Sequence, residues 1–285
     1  MKIDRLLILL LLAASPIFVS AQQPSFDVQR SGVASGPAIL FIPGFACSGQ
    51  VWKETVARYK DRYNCFVFTM PGFAGIAPET QPSLTGWVDE LASYIQAKHL
   101  VKPIIIGHSI GGCLTLMLAA RYPELIGRIV AVDALPCVSA MTNQQFKATA
   151  NPDCGPMIDG TVKASDSEFY SLQRTIMKQT LADTTHEAEV IHWSMISDRK
   201  TLGAIYCQFT NTDLRDALSA IRCPALILLE QRFAGMRPVI EGQYAKLTTA
   251  KFVYSTKGLH FIMYDDPDWY FGQLDGVLNR GKQLN

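Results

Sequence analysis

The residue pattern richest in chemistry is Gly107-His108-Ser109-Ile110-Gly111-Gly112. An apolar run, 104–106, leads into it, and a stretch that is apolar all round, 113–120, follows. A serine between a strand and a buried helix sits on a tight, strained turn that needs small residues two places before and two places after it. Gly107 and Gly111 occupy those places. Such a turn lifts the hydroxyl above the sheet edge, and the helix N-terminus favours negative charge on the group attacked. Ser109 therefore reads as a nucleophile. The motif alone occurs by chance; its strand–turn–helix setting makes it specific.

Attack on a carbonyl creates an oxyanion, which needs two fixed N–H donors in a dry site. The amide of Ile110, next after Ser109, is one. The second is expected from Phe41-Ile42-Pro43-Gly44-Phe45-Ala46-Cys47-Ser48, which follows the first clear strand: the amide of Phe45, past the Gly44 turn. Without the serine turn this segment would read as an ordinary Pro-Gly turn. A base must also reach Ser109. Of the five histidines, His108 is locked in the serine turn and His99 ends a helix, while His186 and His192 fall in a strand-free stretch that suits surface or packing roles. Only His260, in Gly258-Leu259-His260-Phe261, lies on a loop between the last strand and a C-terminal helix, where a base can reach the serine.

These side chains need a scaffold, and the hydrophobic pattern supplies one. Strands are expected at Ala38–Ile42, 65–69, 103–106, Arg128–Val132, Ala225–Leu229 and 251–254. Each is a continuous apolar run, as in parallel strands covered on both faces. Leu84, Trp87, Val88, Leu91, Tyr94 and Ile95 recur at helical spacing behind Ser83 as N-cap. Tyr270, Phe271, Leu274, Val277 and Leu278 do the same after Pro267. Alternation of this kind implies right-handed crossovers with helices on both sheet faces. From 135 to 212 no strand pattern appears. Helices are expected there at 141–150, 167–181, 187–197 and 202–209, separated by turns such as Asn151-Pro152-Asp153-Cys154-Gly155-Pro156.

With these landmarks in order, the chain resembles the α/β-hydrolase family over essentially all of residues 22–285. The resemblance rests on 43–52, 107–112, Thr212-Asp213-Leu214-Arg215 with Cys223-Pro224, and 258–266. It implies a doubly wound, mostly parallel sheet with a helical cap, 135–212, inserted between strands six and seven of a core formed by 22–134 and 213–285. It also implies a serine hydrolase with the triad order serine, acid, histidine. The acid departs from the pattern. Many relatives carry it shortly after strand seven, a place that falls here near Phe233. Asp133, at the end of strand six, is the preferred substitute, because loops at one sheet edge share a site and a short carboxylate at a strand end is held rigidly. Glu230, at the end of strand seven, is the alternative acid.

The expected activity is that of a carboxylesterase acting through an acyl-enzyme on a small, largely apolar acyl substrate. A serine nucleophile argues against the aspartate-nucleophile chemistry of epoxide hydrolases and dehalogenases. Perhydrolysis, carbon–carbon bond hydrolysis and a non-catalytic binding role on the same fold are the alternatives. No cofactor is expected, and no Cys/His spacing suggests a metal site. A net charge of +1 with scattered charges gives no electrostatic reason to bind nucleic acid.

At the N-terminus, Lys2 and Arg5 precede an apolar run, 6–14, and Val19-Ser20-Ala21 offers the small residues that a signal peptidase reads. Residues 1–21 are expected to be a cleaved signal, the mature chain to be periplasmic or secreted, and no stable membrane anchor to remain. Seven cysteines are an odd number for an exported chain. Cys65, Cys113 and Cys223 lie in or beside apolar segments and are expected as buried thiols. Cys137 and Cys154, in one loop-rich region, are candidates to pair.

Overall fold

The computed structural model describes residues 24–278. The expected signal, 1–21, lies outside them. Seven strands are present: β1 (Asp27–Gly32), β2 (Ala38–Ile42), β3 (Asn64–Thr69), β4 (Ile104–His108), β5 (Arg128–Val132), β6 (Ala225–Leu229) and β7 (Ala250–Tyr254). They form one sheet in the order β1-β3-β2-β4-β5-β6-β7. All neighbours pair parallel except β1, which runs antiparallel to β3 at the edge. The polar, half-exposed β1 (DVQRSG) carries no continuous apolar run, which is why the sequence pattern missed it.

Between their ends the interior strands are continuously apolar because successive side chains serve opposite, covered faces. Leu40 and Ile42 of β2, with Ile105, Ile129, Ala131 and Ile227, join one core. Ile39 and Phe41, with Ile106, Val130, Val132 and Leu228, join the other. Helices cover both sides. The helices up to the middle of the sheet are α1 (Lys53–Tyr59), α2 (Leu84–Ala97) and α3 (Ile110–Arg121). The apolar face of α2 packs in the first core with α3, which is buried on nearly every side. A Cβ on Gly111 would stand 2.3 Å from the Ile42 carbonyl oxygen, so only glycine lets α3 approach the sheet this closely.

Between β5 and β6 the chain is wholly non-strand: α4 (Gly155–Lys163), α5 (Asp166–Thr180), α6 (Glu187–Met195) and α7 (Arg199–Thr210). After it come α8 (Arg237–Gln243), α9 (Ile262–Asp265) and α10 (Pro267–Leu278), the last packing Tyr270 and Leu274 into the second core. With seven strands rather than eight, the insertion expected between strands six and seven falls between β5 and β6. Inside it two expectations fail. Residues 141–150 are not a helix: a short 3-10 turn, Val138–Met141, gives way to irregular chain. There the Asn143 side chain accepts from the Gln145 amide, and Arg215 binds the carbonyls of Gln144 and Phe146, taking the groups that a helix would pair. Conversely, the Asn-Pro-Asp-Cys-Gly-Pro run is not just a turn but the start of α4, with Pro156 in its first turn.

The cysteine pairing also differs from expectation. Cys154 is bonded to Cys207, not to Cys137. Cys154 opens α4 and Cys207 lies in α7, and these two helices pack along their lengths. Cys137 is buried as a free thiol beside the Gln243 side chain, like Cys47, Cys65, Cys113 and Cys223. The bridge closes a loop with a sequence separation of 53 residues. By chain entropy such a bond stabilises the fold by about 4 kcal/mol. The double variant Cys154→Ala/Cys207→Ala is expected to lose up to about 4 kcal/mol of unfolding free energy in urea. Thiol titration of the denatured, non-reduced protein should find the five other cysteines free; a Cys137-containing disulfide peptide would contradict the assignment.

Candidate active site

Ser109 joins β4 to α3 with φ 54° and ψ −121°, a conformation that non-glycine residues rarely adopt and that costs about 1–3 kcal/mol. The surroundings hold it there. The Ser109 amide donates to the Val132 carbonyl at 2.9 Å, and the Ser109 carbonyl accepts from Cys113 at 3.0 Å. A serine at a helix N-cap ordinarily spends its hydroxyl on a backbone amide. Ser109 makes no such bond, so its Oγ stays free to face the cavity above the sheet.

The turn after β2 lies against this one. Ala46 takes a positive φ of 58°, and the Cys47 amide returns to the Gly44 carbonyl at 3.2 Å. A Cβ on Gly44 would be 2.7 Å from Nδ1 of His108 and 3.5 Å from Cβ of Ser109, so the two turns pack at a distance that only glycine permits. The Phe45 amide has no acceptor among the described residues. The Ile110 amide is one of the unpaired donors at the head of α3. Both residues therefore carry amides that are available to a developing oxyanion.

His260 lies in the loop between β7 and α9. Its Nδ1 is 2.6 Å from Oδ2 of Asp133, and since a carboxylate can only accept, Nδ1 carries the proton. Nε2 is left for the cavity, which His260 lines together with Ser109. Asp133 follows directly on β5, with φ 47°. Its side chain is 2% exposed, and its Oδ1 accepts the backbone amide of Glu230 at 2.8 Å. Of the two candidate acids it is Asp133 whose carboxylate reaches His260. The Glu230 side chain turns to Arg232 instead, at 3.0 and 2.7 Å, and burial raises its pKa above the ordinary carboxylate value. Phe233 lies in a 3-10 segment and packs on the core.

Several supporting residues were not singled out in the sequence. His108 Nε2 donates to the His260 carbonyl at 2.9 Å. The Asp265 carboxylate accepts the Leu259 amide at 2.9 Å, and Ser255 Oγ accepts that of Gly258 at 2.7 Å. Together they fix the loop whose tip is His260. Glycine flanks and an acid-rich segment, Asp265-Asp266, were the available hints. His99 and His192 are exposed, and His186 stacks on Tyr264 with ring centroids 3.7 Å apart; none of the three lines the cavity.

The cavity holds about 470 Å³. Its floor is Gly44, Phe45, Ser109 and His260, and its walls come from α4, α5, α6 and α7. Among the described residues, no acidic or basic side chain other than histidine lines it. Cys47 does, but burial pushes its thiol up to about 12, so it stays protonated and is no competing nucleophile. Among the described residues there is no group of three or more metal-ligating side chains.

His108 titrates in the acid range, and the sign of its effect is fixed. Burial lowers its pKa well below 6.5 in the folded protein. Below about pH 6.5 the unfolded chain therefore takes up a proton that the folded one refuses, and stability falls as pH drops through that value. The urea midpoint is expected to decrease between about pH 7.5 and about pH 5.5, and to decrease less in His108→Gln. Equal decreases in the two proteins would contradict this.

A family model described as alpha/beta hydrolase fold matches residues 37–155, which span the first strand pairings, both turns and Asp133. The chain is 24% identical over 240 residues to a pimeloyl-[acyl-carrier protein] methyl ester esterase of Aeromonas hydrophila, covering 76% of this chain and 90% of that one. It is 27% identical over 145 residues, half of each chain, to a 2-(acetamidomethylene)succinate hydrolase of Mesorhizobium japonicum. The enol-lactonase of Burkholderia xenovorans LB400 superimposes with a TM-score of 0.73 at 15% identity, over 89% of this chain and 96% of that structure. Strand order, a strained serine between strand and helix, and hydrolytic relatives agree: the chain has the alpha/beta hydrolase fold and is a hydrolase.

Proposed function

We propose that the protein is an exported carboxylesterase-type serine hydrolase. What carries the reading is the 2.6 Å contact between His260 Nδ1 and Asp133 beside the unspent hydroxyl of Ser109. Ser109 Oγ attacks the ester carbonyl carbon as its proton passes to Nε2 of His260. Asp133 stabilises the resulting imidazolium and holds the ring in the productive tautomer. The carbonyl oxygen gathers charge and is met by the amides of Phe45 and Ile110. His260 then returns the proton to the departing alcohol, leaving an acyl-enzyme. Water, activated by the same histidine, releases the acid and restores Ser109.

The insertion 135–212 acts as a cap whose apolar inner surface selects the substrate. A small to medium acyl group suits a cavity of about 470 Å³ without a counter-charge. The dicarboxylate in the name of the Mesorhizobium relative would find no cation here. Export is supported by the basic, apolar and small-residue sequence of 1–21, and by the Cys154–Cys207 bond, which persists in oxidising compartments.

Three measurements test the proposal. Ser109→Ala is expected to stay folded, to lose labelling by a fluorophosphonate and to lose roughly 10⁴-fold or more in kcat. Asp133→Asn should lose roughly 10⁴-fold in kcat, whereas Glu230→Gln, which leaves the Asp133 contact intact, should stay within about tenfold of wild type. The reverse order would move the acid to Glu230. N-terminal sequencing of the mature protein should begin at Gln22 or within a residue or two; recovery of the full-length chain in membranes would overturn export.

A further inference from the structure

Helix α5 presents Phe169, Leu172, Gln173, Ile176, Met177 and Thr180 to the cavity. Phe169, Gln173 and Met177 are its buried residues, spaced by four, and Gln173 is 8% exposed. A helix facing an apolar pocket calls for an apolar residue at the centre of that stripe. Instead an amide sits there. Among the described residues it makes no hydrogen bond and no ion pair. Neither polar atom of this amide is among the enclosed unpaired atoms of the described residues, so both reach the cavity surface and offer a donor and an acceptor to what the cavity holds.

The other polar side chains of the cavity wall are already engaged or exposed. Thr161 donates to backbone oxygens within and beside its own helix, Thr180 to Ile176 at 2.9 Å, and Ser194 to Val190 at 3.4 Å. Tyr206 is 44% exposed. The amide of Gln173 is thus the cavity-facing group with both a donor and an acceptor to spare. Its natural complement is a neutral group offering both N–H and C=O. A carboxylate in that place would be buried against a wall without a cation.

We infer that Gln173 is a specificity-determining residue that pairs with a neutral amide group carried by the acyl chain of the substrate. The inference rests on the esterase reading above and adds the substrate class. The acyl chain would pass from Ser109 along the apolar wall, with its amide against Gln173 and methylene groups filling the rest. Binding then satisfies the side chain that the free protein leaves unpaired. This is the arrangement by which a site discriminates strongly against analogues that lack the polar group.

The test compares p-nitrophenyl esters matched in chain length: N-acetyl-β-alaninate against hexanoate, and N-acetyl-γ-aminobutyrate against heptanoate. Each is assayed on wild type, Gln173→Met and Gln173→Leu. At the better-fitting length, both variants should lower the amide-to-alkyl ratio of kcat/KM by about tenfold, through a rise in KM that is larger for the amide ester than for the alkyl ester. Both should keep a melting temperature close to that of wild type, because the amide makes no hydrogen bond that folding relies on. A purely structural role for Gln173 would lower the melting point and both activities together. An unchanged ratio in both variants, with fluorophosphonate labelling retained, overturns the inference and leaves the esterase reading standing. A wild-type protein that neither takes the label nor cleaves any of these esters overturns that reading, and the inference with it.

Discussion

The carboxylate of Asp133 ties the site together. It is buried at the end of β5 and accepts from two directions: the His260 ring after β7 and the Glu230 backbone after β6. The Asp133 amide in turn donates to Leu228 of β6 at 2.7 Å. One side chain thus links the C-terminal ends of three neighbouring parallel strands. A carboxylate so deeply buried is tolerable only because each oxygen is hydrogen-bonded. The positive φ of Asp133 aims it across the sheet edge. Two residues of positive φ on adjacent strands, held by the pairing of Ser109 with Val132, place the elbow and the acid in a fixed relation.

That fixity comes from the sheet beneath. Strands buried on both faces leave no solvent-facing surface along which register could slip, because a one-residue shift would exchange the two cores. Gly111 lets α3 sit against β2, and Gly44 lets the following turn sit against His108. The N-terminus of α3, with Ile110, and the amide of Phe45 are therefore positioned by backbone packing, which moves little as charge develops on a substrate. The rigid half of the site is built from strand ends and glycines.

The other half is built from the insertion, and its logic differs. Helices α4 to α7 turn Met157, Leu172, Val190 and Tyr206 to the cavity and bury other side chains, such as Ile191, Trp193 and Ile205, in the two sheet cores, with α4 and α7 joined by the Cys154–Cys207 bond. In the proposed reading their inner surface, Gln173 included, selects the acyl group, while the strand ends carry the chemistry. The division explains how chains sharing a fold at 15–27% identity carry names as different as esterase, lactonase and succinate hydrolase.

Much of this was legible in the residues. Continuous apolar runs located six of the seven strands, because burial on both faces leaves a one-dimensional signature. Ser109 was legible because the strained turn dictates small neighbours, and His260 because loop position narrows five histidines to one. What tertiary structure decided were relations between distant residues. Asp133 and Glu230 each end a strand, and the order of strands in the sheet, not the local sequence, brings the Asp133 carboxylate to the His260 ring while Glu230 pairs with its near neighbour Arg232. The same holds for Cys154, which pairs with Cys207 only because α4 packs along α7, and for residues 142–150, denied a helix by Arg215 from beyond the insertion's last helix. Local sequence determines strain, period and burial, since these act between neighbours along the chain. Which of two equivalent side chains meets its partner is decided by packing, which brings together residues that the sequence keeps apart.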